Sequence, residues 1–124
     1  MQYAILCYND ETVTTAWSAD EDAKVMADLK IVQEKMARAG KLGPVARLLP
    51  TTAATTLRKT KEEPLVLDGP FAETKEQLLG FYLADCDTLD EALDFARDLA
   101  AANPGTGSYE IRPVALFFPQ GSHG

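Results

Sequence analysis

The sequence predicts an α+β domain in which a strand–helix–strand unit occurs twice, giving an antiparallel sheet with both helices on one face. Three observations point there. Ser18-Ala-Asp-Glu21 and Thr88-Leu-Asp-Glu91 each carry the S/T-x-x-E capping signature directly ahead of an apolar stripe at helical spacing. A short apolar and aromatic run precedes each of them, Tyr3–Tyr8 and Phe81–Cys86. The chain has 124 residues, 46% hydrophobic and 25% charged, which suits one domain around one core.

Each element follows from local chemistry. Tyr3–Tyr8 is the first strand, followed by a polar loop. Behind the first capping box, Val25, Leu29, Val32 and Met36 fall at i, i+4, i+7 and i+11, one face of a helix over about residues 19–39. Asp20, Glu21 and Asp22 open it and Lys35 and Arg38 close it, the order that suits the helix dipole. Gly40 is the expected stop. Three short strand-like pieces follow, Val45–Leu49, Thr55–Thr60 and Pro64–Leu67. The last two join across Lys61–Glu63 as a hairpin inserted between the two units. Arg58, Lys59 and Lys61 read as charge protecting an edge strand. Thr74–Gln77 repeats the capping pattern and predicts a short helical turn closed by Gly80. Phe81–Cys86 is a strand. The helix after Thr88 carries Ala92, Leu93, Ala96, Leu99 and Ala100 on one face and ends at Asn103-Pro-Gly105. Tyr109–Phe118 is the final strand, in which Pro113 favours an edge or a bulge. With right-handed crossovers the two units give a ferredoxin-like fold. Residues 1–118 are expected to form one domain and 119–124 a flexible tail.

Both faces of the sheet are apolar in sequence. Tyr3, Ile5 and Cys7 alternate with Ala4, Leu6 and Tyr8, and Phe81 and Leu83 with Tyr82 and Ala84. Helices cover one face, so a second subunit is expected on the other, making a homodimer.

Composition excludes several partners. A net charge of −7 argues against nucleic acid and against an anionic membrane surface. No apolar run reaches the length of a membrane span, and the first residues lack a signal-peptide pattern, so a cytoplasmic location is expected. Cys7 and Cys86 lie far apart with no Cys/His cluster, so they read as free thiols and neither a metal site nor a cofactor is expected. The single histidine, His123, sits in the tail, which leaves no His-based triad in the domain.

The segment DGPFAETKEQLLGFYL, residues 68–83, concentrates the functional candidates. Asp68 either shapes a turn through its carboxylate or faces a pocket on the open side of the sheet as an acid or base, its pKa tuned by apolar surroundings. Gly69, Pro70 and Phe71 fix the turn and are themselves candidate ligand-binding residues. Glu73, Lys75, Arg112 and the tyrosines Tyr8, Tyr82 and Tyr109 are candidate ligand-binding partners for Asp68.

Asp68-Gly-Pro-Phe71 with its AETKEQ extension resembles the signature of the DGPF-domain, YCII-related family. The similarity runs from Tyr3 to about Val114 and takes in YAILCYNDE, TTAATTLRK, LDEAL and YEIRPV. It implies a ferredoxin-like subunit that pairs into a dimeric α+β barrel. Related members are thought to act on ring-derived or chlorinated compounds through a His–Asp pair, of which the Asp has its counterpart at Asp68. The resemblance also implies a link to extracytoplasmic-function sigma factors. Three functions stay open: a dimeric binder of an unidentified small molecule with a regulatory role, a cofactor-free lyase or isomerase using Asp68, and a structural or interaction domain.

Overall fold

A computed structural model describes residues 1–118. The tail expected at 119–124, with His123, lies outside the described residues. The described residues form a mixed α+β fold with six strands in two antiparallel sheets, three α-helices and a short 3-10 turn at Thr51–Ala53. The strands are β1 (Gln2–Asn9), β2 (Leu42–Arg47), β3 (Thr55–Arg58), β4 (Leu65–Asp68), β5 (Gln77–Asp85) and β6 (Ser108–Pro113); the helices are α1 (Glu11–Thr14), α2 (Ala19–Arg38) and α3 (Leu89–Ala102). The main sheet has the order β2-β5-β1-β6, and β3 and β4 pair only with each other.

α2 starts and stops where its caps dictate. The Ser18 hydroxyl accepts from the Glu21 backbone N–H at 3.1 Å, and the Glu21 carboxylate accepts from the Ser18 N–H at 3.1 Å. At the other end Gly40 adopts φ 72°, and Lys41 N–H reaches back to Met36 O at 3.0 Å, the closure of a Schellman motif. Ser18→Ala removes the first of these contacts and is expected to lower stability by about 1 kcal/mol, read as a shift of the urea midpoint. α3 uses half of its box. Thr88 accepts from Glu91 N–H at 3.2 Å, while the Glu91 carboxylate turns to Lys41 and ties the start of α3 to the start of β2.

One face of the sheet packs under the helices. Tyr3 and Ile5 from β1 and Tyr82 and Ala84 from β5 meet Val25 and Leu29 of α2 and Phe95, Ala96 and Leu99 of α3. Register explains the choice: Ile5 lies opposite both Tyr82 and Ile111, so alternate residues on three strands share this face. The other parity, Ala4 and Leu6 opposite Leu83 and Phe81, forms the second face and is only partly buried.

Both edge strands carry a proline, Pro44 in β2 and Pro113 at the end of β6. Proline removes a ladder donor, which an edge tolerates. Two irregularities shape the sheet. Between Cys7 and Tyr8 the β1–β5 register slips at Leu79, and between Leu42 and Val45 the β2–β5 register slips at Gly43-Pro44. The helical turn expected at Thr74–Gln77 does not form. Thr74 Oγ1 donates to Glu76 O at 2.6 Å, and Gln77 already opens β5. No apolar helical stripe follows that pattern; the residues behind it alternate as a strand. The polar loop after β1 contains α1 instead, capped by Asp10, whose carboxylate accepts from Thr12 N–H at 2.9 Å.

Candidate functional site

A cavity of about 500 Å³ lies on the helix-facing side, at the end of the sheet where β1 and β2 finish and β5 and β6 begin. Its floor is Cys7, Tyr82 and Tyr109, which the register places on one face: Tyr82 opposite Ile5, Tyr109 opposite Cys7. Trp17, Met26, Leu29, Val45 and Leu79 give it apolar walls. The β5 irregularity at Leu79 and the close approach of β2 at Gly80 open this end of the sheet; a Cβ on Gly80 would lie 2.3 Å from Ala46 O.

Polar groups in the cavity are held in defined states. Gln33 Nε2 donates to Tyr82 Oη at 3.3 Å, and Asn103 Nδ2 donates to Tyr109 Oη at 2.7 Å. Tyr82 also packs edge-on against Phe95, with ring centroids 5.7 Å apart. Arg47 is engaged by Asp22, Nη2 to Oδ1 at 2.7 Å. Glu11 accepts from Thr51 N–H at 2.9 Å and from the Thr51 hydroxyl, which pins the loop after β2 to α1.

Burial pushes the Cys7 thiol up to about 12. It also raises Tyr82 and Tyr109, with hydrogen bonds from Gln33 and Asn103 opposing it. The cavity floor is therefore protonated and neutral at physiological pH. Between 9.0, where an ordinary thiol titrates, and about 12 the folded chain holds a proton on Cys7 that the unfolded chain has released. Unfolding is then favoured as pH rises. Stability is expected to be full below roughly pH 9 and to fall progressively above it, measured as the urea midpoint against pH, with the raised tyrosines adding in the same direction.

The residues singled out in the sequence fall in three places. Tyr8 and Tyr82 line the cavity. Tyr8 Oη also donates to Glu110 at 3.3 Å. Arg112 is exposed on the edge strand β6 opposite Ala4. Asp68, Gly69, Pro70, Phe71, Glu73 and Lys75 belong to the end of β4 and the segment behind it, and none of them lines the cavity. The turn after Asp68 is held by its neighbours. Gly69, at φ 95°, donates to Ala54 O at 2.7 Å and accepts from Thr56 Oγ1 at 2.7 Å, while Arg58 donates to Phe71 O at 3.1 Å. The Asp68 carboxylate is exposed and makes no hydrogen bond or ion pair with the described residues. Asp68→Asn is therefore expected to leave the melting temperature unchanged, as for other surface substitutions away from such contacts.

Sequence reading missed Trp17, Gln33 and Asn103. Gln33 left a signal, a polar residue four positions after Leu29 on the inner side of α2. Among the described residues no group of three His, Cys, Asp or Glu side chains is arranged to hold a metal ion, and no helix is long and apolar enough to cross a membrane.

Fold and cavity define a small α+β protein with an apolar chamber between its helix layer and its antiparallel sheet. The YCII-related domain family matches residues 1–117, and the chain belongs to that family. It is similar to an uncharacterized protein of Rhizobium meliloti (strain 1021), with 71% identity over 119 residues that cover 96% of each chain.

Proposed function

We propose that the protein is a homodimeric small-molecule-binding domain of regulatory use, cytoplasmic, with a ferredoxin-like subunit whose sheet pairs with that of a partner into an α+β barrel. The observation that carries the binding role is the cavity of about 500 Å³, apolar in its walls with a few oriented polar groups on its floor. That size and composition suit a compact organic ligand. Binding is favoured over turnover by the state of the floor, where Cys7 is held neutral and the charged wall residues Arg47 and Glu11 are already engaged.

The strand order β2-β5-β1-β6, in which each long helix joins two strands that have one other strand between them, supports the ferredoxin-like reading. Two apolar surfaces support the dimer. One is the open sheet face with Ala4, Leu6, Phe81 and Leu83. The other is the β3–β4 hairpin, where Leu57 and Val66 stand opposite each other at 62% and 69% exposure and Phe71 is 73% exposed. A lone two-stranded ribbon is marginal in water, so an apolar one calls for cover. Two free cysteines suit a reducing compartment.

Light scattering at micromolar concentration should give twice the chain mass of 13.5 kDa; a monomer would remove the dimer. A thermal-shift screen of two-ring organic compounds should give stabilising hits that Leu29→Ala weakens. No hit in such a screen would remove the binding role. Asp68 enters as an acid presented at the base of the hairpin to the partner subunit. If it serves a site there, Asp68→Asn changes ligand response at constant melting temperature; if both are unchanged, Asp68 has no part in binding.

A further inference from the structure

We infer that the cavity recognises an uncharged ligand through a carbonyl oxygen, with the Tyr82 and Tyr109 hydroxyls as its paired donors. This rests on the binding role proposed above and goes on to the ligand's chemistry.

A phenol has one O–H to donate and lone pairs to accept. In both tyrosines an amide already fills the acceptor side: Gln33 Nε2 donates to Tyr82 at 3.3 Å and Asn103 Nδ2 to Tyr109 at 2.7 Å. What each phenol has left to offer is its own proton. No described residue accepts either proton through a side-chain hydrogen bond. Both protons face the cavity, where one ligand acceptor can take the two together.

The two hydroxyls belong to one site. Tyr82 and Tyr109 stand on the strands that flank β1, on the same face, one pleat step apart, and both line the cavity. A carbonyl oxygen has two lone pairs and takes two donors; a hydrocarbon takes none. Cys7, between them, spends its weak donor on Ile5 O at 3.8 Å.

Charge decides against an anion. The charged side chains on the wall are Glu11 and Arg47, and each is committed, Glu11 to Thr51 and Arg47 to Asp22 at 2.7 Å. A carboxylate entering among Met26, Leu29 and Trp17 would lose its hydration with no free cation to replace it. The raised pKa values of both tyrosines keep the protons in place across the physiological range.

The test uses three two-ring probes on the full-length protein: benzophenone, the diphenylethene in which a methylene replaces its carbonyl oxygen, and diphenylacetate. Affinities are read by calorimetry or ligand-observed NMR. The ketone is expected to bind about tenfold tighter than the hydrocarbon, as one net hydrogen bond gives, and tighter still than the anion. Tyr82→Phe and Tyr109→Phe should each reduce that ratio toward one; because each also removes the acceptor of Gln33 or Asn103, the ratio is read below the variant's own melting transition. Equal affinity for ketone and hydrocarbon, or a preference unmoved by both variants, would overturn the carbonyl assignment and leave the binding role standing. Tightest binding of diphenylacetate would also overturn it. Binding of none of the three, by wild type that is folded by circular dichroism, would overturn both.

Discussion

Gly80→Ala is expected to lower the unfolding free energy by about 3 kcal/mol, at the upper end of what overpacking costs. Gly80 faces Cys7 on one neighbouring strand and Arg47 on the other. A methyl there would sit 2.3 Å from Ala46 O and 3.3 Å from Arg47 Cα, both backbone atoms that no rotamer change can move aside. The strain has one outlet, which is withdrawal of the edge strand β2. That would carry away Val45 and the Leu48–Pro50 segment, one wall of the cavity. Urea denaturation should therefore show a lower midpoint, and probe binding should fall in the fraction that stays folded. A variant as stable as wild type would mean that β2 approaches less closely than described.

The second large effect is expected at Phe95. Its side chain is 2% exposed and meets Tyr82 edge-on at an interplanar angle of 84°. Phe95→Ala removes this buried ring and leaves a cavity under the sheet, a change that typically costs about 3–5 kcal/mol. Against a typical total of about 5–15 kcal/mol, that loss is a large share, and the variant should melt well below the wild type. The loss also frees Tyr82 from the contact that orients it. Phe95→Leu keeps most of the volume and should regain most of the stability while holding Tyr82 less firmly. The two substitutions together separate packing from orientation when melting temperature and probe affinity are compared.

The main elements were legible because their signals are local. Ser18 and Thr88 announce their helices with residues three positions on, and Gly40 ends α2 at the position its positive φ requires. The paired faces of β1 and β5 could be read from alternation alone. Short elements were harder. α1 has four residues, too few for an apolar period, although Asp10 followed by Glu11 was a fair start signal. Thr74–Gln77 shows the converse: a capping pattern with no apolar stripe behind it is not a helix. The DGPF segment was legible as a turn, since Gly69 holds φ 95°, but what holds that turn was not. Its partners are Thr56 and Arg58 of β3 and Ala54 just before it, all more than ten residues away. The cavity was the least legible part. It brings Trp17, Gln33 and Asn103 together from a loop, a helix and a helix end, and only the packed topology makes them neighbours.

On the proposed function a small molecule binds between the helices and the sheet. Amide and indole NMR shifts during titration with benzophenone or the diphenylethene test it most directly, because Trp17 is the only tryptophan and its indole lies in the cavity wall. Saturable shifts are expected for the Trp17 indole, Gln33, Tyr82 and Tyr109, with residues 65–75 and the open-face residues Ala4 and Leu83 unmoved. Shifts confined to the DGPF segment or to the open face, with Trp17 and Tyr109 silent at saturation, would contradict it.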